Sequence, residues 1–174
     1  MRQRKSWLIT DTHFKHLKLE NEGYRPKGFT IKIQDNWKRL VGADDLVFHL
    51  GDVILGENGT LGEILASLPG IKFLVRGNHD LESNGWYMRQ GFSFVAHGIL
   101  HGGAWLTHAP QATLPDGAIL NIHGHLHDRP VPEGYPAHCK RLAMEFTDYC
   151  PVEFDKFTGF TPMRKLLLNL PPED

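Results

Sequence analysis

The sequence predicts a single α/β domain whose strands form a mixed sheet or a two-sheet sandwich flanked by helices. Two observations predict it. Short apolar runs, each ended by a turn-forming polar cluster, recur along the chain, and stretches with apolar residues at helical spacing lie between the earlier ones. With 174 residues, 41% of them hydrophobic, the chain is long enough to bury most of one core without disulfides or a structural metal. Residues 1–174 are therefore expected to make one domain.

The elements follow in order. Trp7-Leu8-Ile9 is the first expected strand, and the basic start before it has neither a long apolar stretch nor a small-residue cleavage site. A cytoplasmic protein without a membrane partner is the expectation. Phe14 to Thr30 shows no clear strand and is read as a segment that overhangs a site. Ile31 to Val41 is a helix, because Ile33, Trp37 and Leu40 recur at helical spacing. Leu46-Val47-Phe48 is a strand, Leu61 to Leu68 a helix, Ile71 to Val75 a strand, and Asn84 to Gln90 a helix. From Phe92 onward strand signals come without helices between them, at Ala104-Trp105-Leu106 and Ala118 to Ile122, so an antiparallel portion is expected there. Arg129 to Pro136 reads as a surface loop.

The formal net charge of -1 lacks the positive field of sequence-independent nucleic-acid binders, which leaves nucleic acid unsupported as a partner. Cys139 and Cys150 are too few for a disulfide framework and read as reduced thiols. The chain has 11 histidines, the residue that most often ligates metals and transfers protons near neutral pH.

Five polar clusters stand where strand-like runs stop: Asp11-Thr12-His13, Gly51-Asp52, Gly77-Asn78-His79-Asp80, Thr107-His108 and Gly124-His125-Leu126-His127. In α/β sheets ligand-binding groups gather at the carboxyl ends of strands, so the five are expected to meet. In extended backbone alternate residues point the same way, which would aim Asp11 with His13, and His125 with His127. Asp11, Asp52 and Asn78 with His13, His108, His125 and His127 make a donor set too large for one ion and sufficient for two if a carboxylate is shared. Asp52 is the natural bridge, since a carboxylate has lone pairs on two oxygens. Two divalent ions would outweigh two carboxylates and a bound hydroxide, leaving a positive site that attracts phosphate. They would also supply hydroxide at neutral pH.

In this order the motifs resemble the calcineurin-like metallophosphoesterase superfamily, over Asp11 to His127. The resemblance implies a two-sheet β sandwich flanked by helices in a four-layer fold, with two metals at the loop rim. It assigns Asp11, His13 and His127 to one metal and Asn78, His108 and His125 to the other, with Asp52 bridging. It also makes His79 the general acid or transition-state stabiliser and Asp80 its partner. Gly51-Asp52 continues as Val-Ile-Leu-Gly, a departure from the Ser/Thr protein phosphatase pattern. Asp11-Thr12-His13-Phe14 with His16, Arg25-Pro26, and Asp148-Tyr149 with Pro151-Val152 are similar to a group of small bacterial and phage phosphoesterases.

The expected activity is hydrolysis of a small phosphodiester such as a nucleotide, by attack of a hydroxide held between the metals. A phosphomonoesterase and a catalytically silent binding module of the same fold are the alternatives. Asn78, His79, Arg25 and His16 are the expected substrate contacts, Arg25 because a guanidinium pairs with phosphate in bidentate fashion; Arg76 is a second candidate for that clamp. Oxygen and nitrogen ligation without thiolate suits manganese, which is favoured, and equally iron, zinc, nickel or cobalt. His49 and His123, each inside an apolar run, are expected to be hydrogen-bonded in the core. The residues leave the oligomeric state open.

Overall fold

The computed structural model describes residues 3–56 and 58–160. A five-stranded sheet has the order β4-β3-β2-β1-β9, built from β1 (Ser6–Ile9), β2 (Leu46–His49), β3 (Ile71–Val75), β4 (Phe94–Ala96) and β9 (Val152–Glu153). β1 to β4 run parallel, and β9 closes the edge antiparallel to β1. A four-stranded sheet has the order β5-β6-β7-β8, from β5 (Gly98–His101), β6 (Ala104–Thr107), β7 (Leu120–His123) and β8 (Cys139–Arg141). The two mixed sheets stack, flanked by helices α1 (Leu17–Asn21), α2 (Phe29–Leu40), α3 (Leu61–Ser67), α4 (Asn84–Gln90) and α5 (Phe154–Thr158).

Strand alternation sorts the core into two layers. Trp7, Ile9, Val47 and Leu74 point to one face of the first sheet, where they pack with Phe29, Ile33 and Trp37 of α2, Leu61 and Leu65 of α3, and Tyr87 of α4. Leu8, Phe48 and Val75 point to the other face and meet Ala104, Leu106 and Ile122 of the second sheet. Both faces of the first sheet are thus covered, which is why its strands read as continuous apolar runs. Phe29, Ile33 and Trp37 recur every four residues on the buried side of α2, and the Trp37 indole N–H donates to Pro69 O at 2.9 Å. Ser83 caps α4 by accepting from Trp86 N–H, and Gly91 ends that helix at φ 122°.

The second sheet departs from the expected antiparallel arrangement. Only β5 and β6 pair that way, whereas β6, β7 and β8 are parallel. The connections 108–119 and 124–138 cross back without forming a helix, so helical periodicity could not reveal them. Their consequence is functional, because parallel β6 and β7 deliver His108 and His125 to one rim. Ala118 is in a turn, donating to Pro115 O, and β7 begins only at Leu120. The segment 14–30 holds α1 and the turn before α2. Among the described residues no helix is long and apolar enough to cross a membrane.

Candidate metal centre

The loops after β1 and β2 continue side by side past the strand ends. Asp11 N–H donates to Gly51 O at 2.9 Å, His13 N–H to Asp52 O at 3.0 Å, and Phe14 N–H to Val53 O at 2.9 Å. These bonds hold an unusual backbone. Asp11 (φ 47°), His13 (43°), Asp52 (57°), His125 (68°) and His127 (50°) all adopt the left-handed region, which non-glycine residues enter at a cost. The expected extended geometry for Asp11 with His13, and for His125 with His127, is therefore replaced by left-handed turns, which bring Asp11 and His13 onto one point but send His127 to them and His125 to Asn78 and His108. The motif glycines have a steric reason. A Cβ on Gly77 would overlap Asp52, and one on Gly124 would overlap the side chains of Thr10 and Asp11.

All seven expected ligands converge. Asp11, His13 and His127 place one donor atom each within 4.8 Å of one another, and so do Asp11, Asp52 and His108. Asp11 Oδ2 accepts from Thr10 Oγ1 at 2.6 Å and from His125 N–H at 3.0 Å. Asp11 Oδ1 is buried without a hydrogen-bond partner and lies 3.6 Å from His127 Nε2. Asp52 Oδ2 stands between the two sets, 3.8 Å from His13 Nε2 and 3.5 Å from His108 Nε2, while Oδ1 accepts from His79 N–H.

On the other side, His108 Nδ1 lies 2.7 Å from Leu50 O, so this nitrogen carries the proton and Nε2 presents a lone pair. That lone pair faces Asn78 Oδ1 at 2.9 Å and His125 Nδ1 at 3.1 Å, and His125 Nδ1 is itself 2.9 Å from Asn78 Oδ1. An amide oxygen and two imidazole nitrogens crowd one point from several sides, a donor set that suits a cation. Burial, with the Arg25 guanidinium second, pushes His13 down to about 2, and burial also lowers His125. Neutral imidazoles are the ligating form. Burial raises the Asp11 carboxyl against the pull of His127 and His108, a penalty that a bound cation would relieve. The residues fit two divalent ions.

His79 is at the rim, its side chain 45% exposed and Nε2 3.9 Å from Asp52 Oδ2. His16 Nδ1 is buried without a partner, and its ring centroid is 5.7 Å from that of His13. Both can reach a molecule lying over the ligands. Asp80 stands elsewhere than expected. It is 1% exposed, and its carboxylate accepts from the backbone N–H groups of Asp52, Val53 and Gly77 rather than meeting the His79 ring. Its role is to tie two ligand loops together.

Arg25 is likewise not a free phosphate clamp. It is 3% exposed, donates to Asp11 O at 2.8 Å and pairs with Glu145 at 2.7 Å, so its fork is spent inside the protein. Arg76 donates to Asp80 O and Asn84 Oδ1 and braces the 77–80 loop. His49 and His123 are buried and hydrogen-bonded. Glu145, missing from the sequence-derived set, contacts both Arg25 and His127. It sits in Ala143-Met144-Glu145-Phe146 without a motif, and only the fold connects it to the site.

Beside the ligands lies a cleft of about 760 Å³ whose walls include His16, Lys18, Leu19, Glu22, Tyr24, Leu55, His127, Asp128 and Arg129. It is roomy enough for a small organic molecule. Its outer wall is the segment 16–25, expected to overhang a site.

The family model described as calcineurin-like phosphoesterase matches residues 4–158. An uncharacterized protein of Methanocaldococcus jannaschii is 32% identical over 171 residues, covering 89% of this chain and 90% of that protein. The Gene 66 protein of Mycobacterium phage D29 is 27% identical over 158 residues, covering 71% of this chain and 78% of its own. Among solved structures, a protein of unknown function from Aquifex aeolicus superposes with a TM-score of 0.71 at 28% identity, over 90% of this chain and 99% of that one. Pseudomonas putida nuclease MPE shares the fold, with a TM-score of 0.52 at 22% identity over 71% of this chain and 62% of its own.

Proposed function

The chain belongs to the calcineurin-like phosphoesterase family, and on that premise we propose that it hydrolyses a phosphodiester of a small nucleotide or similar molecule. Asp11, His13 and His127 would hold one divalent cation and Asn78, His108 and His125 a second, with Asp52 between them. The observation that carries the reading is the convergence of ligand-type atoms: Asp11 Oδ1 buried without a partner, and Asn78 Oδ1, His108 Nε2 and His125 Nδ1 within 3.1 Å of one another. When bound, such a cation pair lowers the pKa of water toward neutrality and offsets phosphate charge.

The protein's own groups supply the rest. Asn78 and His79 stand on the loop after β3, where an amide and an imidazole can steady charge on the phosphate oxygens. His79, its side chain 45% exposed at the rim, would give a proton to the departing alkoxide. The cleft beside His127 and His16 gives the organic part of the ester a place to lie. A diester is the favoured class, since the cleft beside His127 would take one substituent and the exposed rim at His79 would leave the other in solvent. Manganese is the ion of first choice; iron, zinc, nickel and cobalt suit the same donors.

Hydrolysis of a model phosphodiester and of its monoester under saturating manganese tests the reading. The diester is expected to turn over faster, and His79→Ala to cost about 10²-fold or more in kcat. Faster monoester turnover makes the protein a phosphomonoesterase, and undiminished diester hydrolysis by Asp52→Asn or His79→Ala contradicts the site.

A further inference from the structure

We propose that Glu145 is a positioning residue that backs His127 and, through Arg25, the Asp11 loop, so that the two cation sites differ in affinity, the Asp11, His13, His127 site being the tighter. The proposal rests on the reading above. Glu145 Oε1 gathers three donors: Arg25 Nε at 3.0 Å, Arg25 Nη2 at 2.7 Å and His127 Nδ1 at 3.2 Å. Arg25 Nη1 then donates to Asp11 O at 2.8 Å and reaches Thr12 O at 3.4 Å. Its guanidinium also stacks on Phe29, 5.0 Å from the ring centroid. One buried ion pair thus joins a ligand's backbone, a second ligand's ring and a turn far along the chain, at 144–146.

His127 Nδ1 faces both the Glu145 carboxylate and, at 3.3 Å, Arg25 Nη2. The proton assignment follows from charge and from the opposite nitrogen. Glu145 Oε1 accepts from both Nε and Nη2 of Arg25 in a buried ion pair, so it is an ionised acceptor. Nε2 faces Asp11 Oδ1 and must keep its lone pair to ligate. Nδ1–H therefore donates to Glu145, and Arg25 turns its hydrogens to the carboxylate and the carbonyls.

The other set is built differently. His108 Nδ1 meets the neutral carbonyl of Leu50 at 2.7 Å. A carboxylate behind an imidazole makes it a stronger donor than a carbonyl does, and losing such a partner costs a metal site roughly 10–100-fold in affinity. One site has that support and the other does not.

Calorimetric titration of the metal-free full chain with manganese, wild type against Glu145→Gln, tests this. The wild type is expected to bind two ions in separable steps. Glu145→Gln, which keeps the shape and removes the charge, should weaken the tighter step by roughly 10–100-fold and leave the weaker one unchanged. Equal affinities in the two proteins, or a parallel loss at both steps, would overturn the assignment. A wild type that binds no ion would overturn the underlying reading and this one with it. Nitrogen-15 NMR of the zinc-loaded wild type gives an independent readout should the variant not fold. His127 is expected to carry its proton on Nδ1 and its metal on Nε2, and metal on Nδ1 would overturn the proposal.

Discussion

Five of the seven candidate ligands hold a left-handed backbone, at about 1–2 kcal/mol per residue, and several point their lone pairs at one another. The fold bears that cost through its loop hydrogen bonds, and a cation would repay it. Manganese at about 100 times its Kd should accordingly stabilise the chain by about 2.7 kcal/mol, measurable by thermal denaturation; an unchanged midpoint would contradict the site. Arg25 shows how a residue type can be recognised and its task misjudged. A guanidinium near a phosphate site suggests a clamp, yet the Arg25 side chain is 1% exposed and its partner Glu145 13%. Arg25→Met should strip that carboxylate of its cationic partner, leaving it only the His127 contact, and cost about 3–5 kcal/mol in denaturant unfolding, where a surface clamp would cost almost nothing. His49 is one source of acid sensitivity, beside His13 and His123. Gly51 N–H donates to its Nδ1 and its Nε2 meets Thr12 Oγ1, a neutral arrangement that burial, with His108 second, holds down to about 3. The folded value lies below the ordinary 6.5, so the unfolded chain takes up the proton first as pH falls. The contribution is complete above pH 6.5 and is lost as the pH falls to about 3, on the order of 5 kcal/mol. His49→Gln should flatten the stability profile across that window.

At the scale of elements, three parallel strands, β1, β2 and β3, end on one rim and set Asp11, Asp52 and Asn78 beside one another, while β6 and β7 bring His108 and His125 from the second sheet. Gly124→Ala would push a methyl group into Thr10 and Asp11. Turnover should fall by about 10²-fold, the scale on which a small misplacement near the chemistry acts, with the secondary structure by circular dichroism retained. Trp37→Ala empties a fully buried site under α2 and should cost about 3–5 kcal/mol without changing the number of ions bound. The strands up to Val75 and the helices α2, α3 and α4 are legible because apolar runs and helical spacing are local patterns. The parallel pairing of β7 and β8 is not, since it depends on crossovers that carry no periodic signal. The left-handed ligand turns are not either, because their φ values are set by contacts with the neighbouring loop. Glu145 escaped for the same reason: an acidic residue gains meaning only from the groups the fold brings to it.

For the whole molecule, the first sheet is rigid because both its faces are buried, by helices on one side and the second sheet on the other. The ligands therefore stand on a fixed rim, and the segment 16–25 walls a cleft beside them. On the proposed function, substrate selection would fall to that cleft and ion binding to the junction of the sheets. Electron paramagnetic resonance of the manganese-loaded chain tests the junction most directly. Two ions per chain sharing the Asp52 carboxylate should give a spin-coupled dinuclear spectrum, lost in Asp52→Asn; a spectrum of isolated manganese alone, or no bound manganese, would contradict the account.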